Sequence, residues 1–139
     1  MFAELVGTKK IPVLLVEDRV NEAVATQRQL HAIDDEFDIS RVTSLKDALS
    51  RITQEGTDVV VLDLGLPDAS GPQSIKTISE HFPDLPIVVL SGHDDPLTIR
   101  SALEYGAQGF ISKSESSGNT IRQAILGAII RKSLTKELS

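Results

Sequence analysis

The sequence predicts an α/β domain on a parallel sheet, and three observations carry that expectation. Val59-Val60-Val61-Leu62 runs without alternation and ends on Asp63, and residues 11–16 and 86–90 are apolar runs of the same kind. Uninterrupted Val/Ile/Leu runs bounded by polar residues are strands buried on both faces, as parallel sheets require. Between the runs, apolar residues recur at helical spacing, so strand and helix alternate. Such alternation implies right-handed crossovers with helices on both faces.

Ile11-Pro12-Val13-Leu14-Leu15-Val16 is the first strand and ends on Glu17-Asp18. From Arg19 to about Ala32 the pattern is helical, with Val20, Ala23, Val24, Gln27 and Leu30 near 3.6 spacing. Residues 37–42 are more polar and partly alternating, which suits an edge strand. Ser44 caps a helix to about Gln54 that turns Leu45, Ala48, Leu49 and Ile52 inward, with Gly56 at its C′ position. The Asp63 strand follows, then the turn residues 64–71. Pro72 opens a helix to about His81 with Ile75 and Ile78 inward. The run 86–90 ends on Ser91, and Asp95-Pro96 starts a helix that Gly106 closes. Residues 108–111 form the last strand, ending on Ser112-Lys113, and Asn119 caps a final helix. Strand order 2-1-3-4-5 puts the polar 37–42 strand at an edge and the apolar runs inside.

The 139 residues, 40% hydrophobic and 24% charged, suffice for one domain with a core. With no cysteine there is no disulfide, thiolate metal site or thiol nucleophile, which fits a reducing compartment. A net charge of −6 argues against direct nucleic-acid binding. No apolar run reaches the ~20 residues of a membrane span, and Met1 to Lys10 has no signal-peptide core. His31, His81 and His93 fall in different β/α units, so a histidine metal site is not expected, and His93 is read as solvent-exposed beside Ser91. Tyr105 and Phe82 read as packing or surface residues.

Four strands carry polar residues at or just past their carboxyl ends: Glu17-Asp18, Asp63, Ser91 and Lys113. Open parallel sheets place their ligands along that edge. Each residue alone has an ordinary explanation, as a helix cap, a turn hydroxyl or a solvated charge, but the strand assignment forces the four ends together. Three crowded carboxylates must shed charge or recruit a cation. Oxygen-only ligands without Cys or His indicate a hard ion, Mg²⁺ or Mn²⁺, rather than Zn²⁺. Asp18 and Asp63 are the expected direct ligands, Glu17 acts through water, and the backbone carbonyl of Gly65 completes the set. Lys113 and Ser91 can then engage phosphoryl oxygens while Asp63 serves as nucleophile, the parts that phosphoryl transfer needs.

With Leu62-Asp63-Leu64-Gly65-Leu66-Pro67-Asp68-Ala69-Ser70-Gly71, Ser91-Gly92 and Phe110-Ile111-Ser112-Lys113, this set resembles the response-regulator receiver domain from about Ile11 to Ile130. The resemblance implies a flavodoxin-like three-layer (βα)5 fold and a cytoplasmic signalling module, not a turnover enzyme. It implies that Asp63 accepts a phosphoryl group from a histidine kinase or phosphotransfer protein, with Glu17 and Asp18 as the acidic metal pair. Ser91, with Gly92 beside it, is the switch hydroxyl, Lys113 its partner, and Phe110 the switch aromatic; the last two helices and last strand form the partner face. Three departures stand out. Ser114 replaces the proline that often follows the lysine, so the Lys113–Ser114 bond is expected to be trans. Gly92 stands where a small residue such as Ala is usual, and Gly65 offers no side chain beside the acceptor.

Three other readings fit less well. A flavin or nucleotide module needs a phosphate cradle after the first strand, where Glu17-Asp18 stand. An Asp-nucleophile hydrolase has a second Asp two residues on, where Gly65 stands. A pseudo-receiver would not be expected to keep all four parts. Residues 131–139 are expected to extend the last helix: Ile130, Leu134 and Leu138 repeat at four-residue spacing beside Arg131, Lys132, Lys136 and Glu137. That extension leads to a connector, to an output domain, or to a homodimer through the last helices.

Overall fold

The computed structural model describes residues 10–32 and 36–138, so residues 1–9, read above as lacking a signal peptide, lie outside the described residues. The strands are β1 (Ile11–Val16), β2 (Phe37–Val42), β3 (Val59–Leu62), β4 (Gly65–Leu66), β5 (Ala69–Ser70), β6 (Ile87–Ser91) and β7 (Gly109–Ser112). The helices are α1 (Val20–His31), α2 (Leu45–Gln54), α3 (Gln73–His81), α4 (Pro96–Glu104) and α5 (Gly118–Leu138), with a 3₁₀ turn at Lys113–Glu115.

Five strands form one parallel sheet in the order β2-β1-β3-β6-β7. Counting only these five, that is 2-1-3-4-5, a flavodoxin-like fold as expected. The polar β2 is an edge strand and β3 is central, paired to β1 through Val16↔Leu62 and to β6 through Leu62↔Val89. All four β3 residues are buried, because both faces of the sheet are covered. Leu14, Val16, Val60, Leu62, Ile87 and Val89 pack with Ala48 of α2, Ile75 and Ile78 of α3 and Ala102 of α4. Val13, Leu15, Val59, Val61, Val88 and Leu90 pack on the other face with Ala23 and Leu30 of α1 and Ile121, Ile125 and Ala128 of α5. The period of two along each strand therefore sorts neighbouring residues into opposite cores. Each large side chain buried this way contributes roughly 1.5–3 kcal/mol.

Several local expectations are corrected. In α1 the expected Ala23 and Leu30 are buried, but Val20 and Val24 are exposed and Thr26, not Gln27, completes the inward stripe. Gly56 follows an already extended Glu55 and has no positive φ, so α2 ends without a left-handed residue. Ser44 does cap α2, accepting from the Asp47 N–H at 3.1 Å. Pro72 is the residue before α3 rather than its first. Asn119 is inside α5, and Ser117 caps it: its hydroxyl accepts from the Thr120 N–H while the Thr120 hydroxyl accepts from the Ser117 N–H. The reciprocal pair satisfies two backbone donors, as a capping box does. Gly106 closes α4 at φ +119°, where a side chain would collide with the Ser79 hydroxyl. The Lys113–Ser114 bond is trans, as expected. α5 does continue past Ile130, and Ile130 and Leu134 are exposed along it; the Leu138 side chain lies outside the described residues.

Candidate functional site

The carboxyl ends of β1, β3, β6 and β7 supply the site. β1 delivers Glu17, buried at 3% exposure, and the half-buried Asp18. β3 delivers Asp63, whose backbone N–H donates to the Val16 carbonyl at 3.0 Å and so continues the β1–β3 ladder past the last paired residues. Glu17, Asp18 and Asp63 each bring a carboxylate oxygen within 4.8 Å of the others. Far apart in sequence, these residues meet because the parallel register of β1 and β3 sets their carboxyl ends side by side, as the strand assignment expected.

Lys113, just past β7, points into the cluster. Its Nζ lies 2.7 Å from Glu17 Oε1, 3.0 Å from Asp63 Oδ1 and 2.5 Å from Glu22 Oε1. Burial alone would lower the Lys113 pKa, but the hydrogen bonds it donates to the carboxylates of Glu17, Glu22 and Asp63 outweigh it and hold the ammonium above its ordinary range. Burial raises the Glu17 pKa, partly offset by hydrogen bonds from Lys113 and the Arg19 N–H. Glu22 is held below the usual carboxylate range by Lys113 first, then by Arg19.

The loop after Asp63 is not an open turn. Gly65–Leu66 and Ala69–Ser70 pair as a short antiparallel ribbon, and the Gly65 N–H donates to Asp63 Oδ2 at 3.1 Å. With no side chain at position 65, bare backbone flanks the acid. Asp68, in the ribbon turn, accepts from the Leu45 and Lys46 N–H groups at 2.9 and 3.0 Å, fastening the ribbon to the first turn of α2. Ser91 ends β6 fully buried, and its hydroxyl accepts from the exposed His93 N–H at 3.0 Å. Gly92 is exposed next to it. Phe110, on β7, is half-buried against the α2–α3–α4 core, as are Tyr105 and Phe82.

Two residues of the site were not expected from the sequence. Glu22 lies four residues past Asp18, in the first turn of α1, and that acidic position close to Glu17-Asp18 was the available clue. Arg41, on the edge strand β2, donates through Nε to the Glu17 carbonyl at 2.8 Å and through Nη2 to the Asp18 carbonyl at 3.1 Å. An arginine in a polar edge strand gives no such hint in sequence.

The donor set suits a hard divalent cation. Among the described residues, the one buried side-chain polar atom without a hydrogen-bond partner is Asp18 Oδ1, which stands beside the carboxylates of Glu17 and Asp63. A buried anionic oxygen without a partner is costly unless something cationic occupies the adjacent space.

Comparison with known proteins agrees with this geometry. Residues 13–126 match the response regulator receiver domain family. The regulatory protein LuxO of Vibrio cholerae is 32% identical over 122 residues, covering 88% of this chain and 26% of LuxO. The transcriptional regulatory protein DegU of Brevibacillus brevis is 26% identical over 97% of this chain and 59% of its own length. The chain thus spans between about a quarter and three fifths of these two relatives. Among solved structures, a CheY-like response regulator receiver domain protein from Methanospirillum hungatei superposes with a TM-score of 0.78 at 16% identity, covering 91% of this chain and 99% of that one. A Burkholderia pseudomallei response regulator with a phosphorylated aspartic acid, calcium ion and citrate gives 0.73 at 22% identity, covering 93% and 74%. Among the described residues, no helix is long and apolar enough to cross a membrane. With the fold, the clustered acids and the family match in agreement, this chain belongs to the response-regulator receiver domains of two-component systems.

Proposed function

We propose that Asp63 accepts a phosphoryl group from a phosphohistidine of a kinase or phosphotransfer protein, in a reaction that requires Mg²⁺ or Mn²⁺. The carrying observation is the position of Asp63, at the end of the central strand, 3.0 Å from Lys113 and clustered with Glu17 and Asp18. An Asp63 carboxylate oxygen forms the new O–P bond. The P–N bond to the donor imidazole breaks, and the imidazole keeps the electron pair and takes up a proton. Glu17, Asp18, Asp63 and the Gly65 carbonyl would hold the cation, which supplies charge neutralisation at the transferring group. Lys113 balances charge at the acceptor, and the fixed backbone of β3 keeps Asp63 aimed.

The buried Ser91 hydroxyl, beside the exposed Gly92, and the half-buried Phe110 then couple occupancy to the face of α4, β7 and α5. The regulatory proteins LuxO and DegU are much longer than this chain, which supports a linked or separate output domain. On this reading residues 1–139 form one receiver domain with a core at about 11–130, acting in the cytoplasm, and residues 131–139 extend α5. Exposed Ile130 and Leu134 would pair with that output domain or with a second copy.

The direct test is incubation with acetyl phosphate or phosphoramidate and Mg²⁺, followed by intact-mass and peptide analysis. Wild type gains one phosphoryl group at Asp63, and Asp63→Asn, which keeps the size but not the anionic nucleophile, gains none. Labelling of Asp63→Asn at wild-type yield would assign the acceptor elsewhere.

A further inference from the structure

We propose that Glu22 gates the site: it occupies the Lys113 ammonium that the incoming phosphoryl group must recruit, and so limits how readily Asp63 is loaded. The proposal rests on the phosphoacceptor reading and adds to it a control built from this chain's own residues.

The argument is one of stoichiometry. An ammonium has three N–H donors. The Lys113 Nζ already has three carboxylate oxygens around it, Glu17 Oε1 at 2.7 Å, Glu22 Oε1 at 2.5 Å and Asp63 Oδ1 at 3.0 Å. Every donor therefore has a carboxylate to serve. A phosphoryl group brings three strong acceptor oxygens and close to two negative charges. For one of those oxygens to bond Lys113, an existing contact must open.

The three partners are not equivalent. Asp63 is the residue being modified, and Glu17 belongs to the carboxylate cluster together with Asp18 and Asp63. Glu22 lies outside that cluster. It comes from the first turn of α1, makes the shortest of the three contacts, and has its other oxygen held by Arg19 Nη1 at 3.1 Å. Its side chain is 32% exposed and that of Lys113 is 20% exposed, so water can solvate the Glu22 carboxylate when it lets go. Glu22 is thus the partner whose release disturbs nothing else in the centre. While it holds, it saturates the ammonium and sets a fourth negative charge beside a pocket that an anionic donor has to enter, which slows association.

The test uses the full chain with Glu22→Gln, which removes the charge at constant size, and Glu22→Asp, which keeps the charge but is one methylene short of Lys113. Phosphorylation by phosphoramidate is followed at saturating Mg²⁺, so that altered metal affinity does not enter. Binding of beryllofluoride, a phosphoryl mimic, is titrated in parallel. Both variants are expected to load about five- to tenfold faster, the equivalent of one charge-assisted contact, and to bind beryllofluoride more tightly by a similar factor. Wild-type or slower loading with unchanged beryllofluoride affinity, even with a shifted Tm, would make Glu22 a structural brace and overturn the gate. Faster loading in Glu22→Gln with wild-type behaviour in Glu22→Asp would assign the effect to field rather than contact, and would also overturn it. Failure of wild type and both variants alike to take a phosphoryl group would strike the phosphoacceptor reading itself, and the gate with it.

Discussion

The Arg41 guanidinium donates to the backbone carbonyl of Glu17 at 2.8 Å, from a strand that contributes no side chain to the acidic cluster itself. A second bond, to the Asp18 carbonyl at 3.1 Å, makes the contact a fork, so both residues of the acidic pair are held by one side chain. Arginine suits this role because its planar donors fix two acceptors in one geometry. Arg41→Ala should lower stability by about 1–3 kcal/mol, as for other hydrogen bonds from a charged group. It should also weaken Mn²⁺ binding several-fold, as read by loss of the unbound-ion signal in electron paramagnetic resonance at a temperature where both proteins are folded. Arg41→Lys, which can serve one carbonyl at a time, should fall between. Unchanged Mn²⁺ affinity in Arg41→Ala would confine the fork to stability.

Divalent metal should stabilise the fold, and Asp18 should carry much of that effect. The reason is the buried Asp18 Oδ1, which has no hydrogen-bond partner and sits with two further carboxylates. Native-state binding at a Mg²⁺ concentration 100 times Kd adds about 2.7 kcal/mol by mass action. Thermal melts across a Mg²⁺ series should rise for wild type and much less for Asp18→Ala. Equal slopes would remove Asp18 from the ligand set.

Asp68 gives a pH dependence whose sign can be worked out. The Leu45 and Lys46 N–H groups hold its carboxyl below the ordinary range. The folded protein then binds that proton more weakly than the unfolded chain, so the contribution is complete above the unfolded pKa of about 4 and disappears as pH falls through the lower folded value. Because Asp68 is exposed, the effect is small, about 0.5–1 kcal/mol for a charge on a helix N-terminus. Asp68→Asn should be less stable than wild type at pH 7, with the gap closing below about pH 4. Urea titrations at both pH values would show it, and a gap that stayed constant with pH would mean that the contact is not ionic.

Much of this was legible because burial on both faces writes a strand directly into composition. Val59–Leu62 could be placed, and with it Asp63, since a central strand covered on both faces disfavours polar residues before its end. Sheet order followed from polarity, which marked β2 as an edge. What escaped reading depends on rotation and reach. Val20 and Val24 match the helical period as well as Ala23 does, and only packing against the sheet decides which stripe faces in. Ser117 and Asn119 are both good caps, and the backbone path chose the earlier one. Glu22 and Arg41 act across elements, through a lysine 91 residues away and through carbonyls 24 and 23 residues away, and nothing in their local sequence names those partners.

The central place of β3 has a further consequence, for the distribution of backbone opening. The strand that carries Asp63 is laddered to both β1 and β6, whereas β7, like β2, is laddered on one side only, and it runs directly into a single 3₁₀ turn. Local opening is therefore far less costly at the Lys113 end than at the Asp63 end. On the proposed reading the phosphoacceptor is seated on what should be the slowest-exchanging backbone in the domain, and Lys113 follows an edge strand that opens more readily.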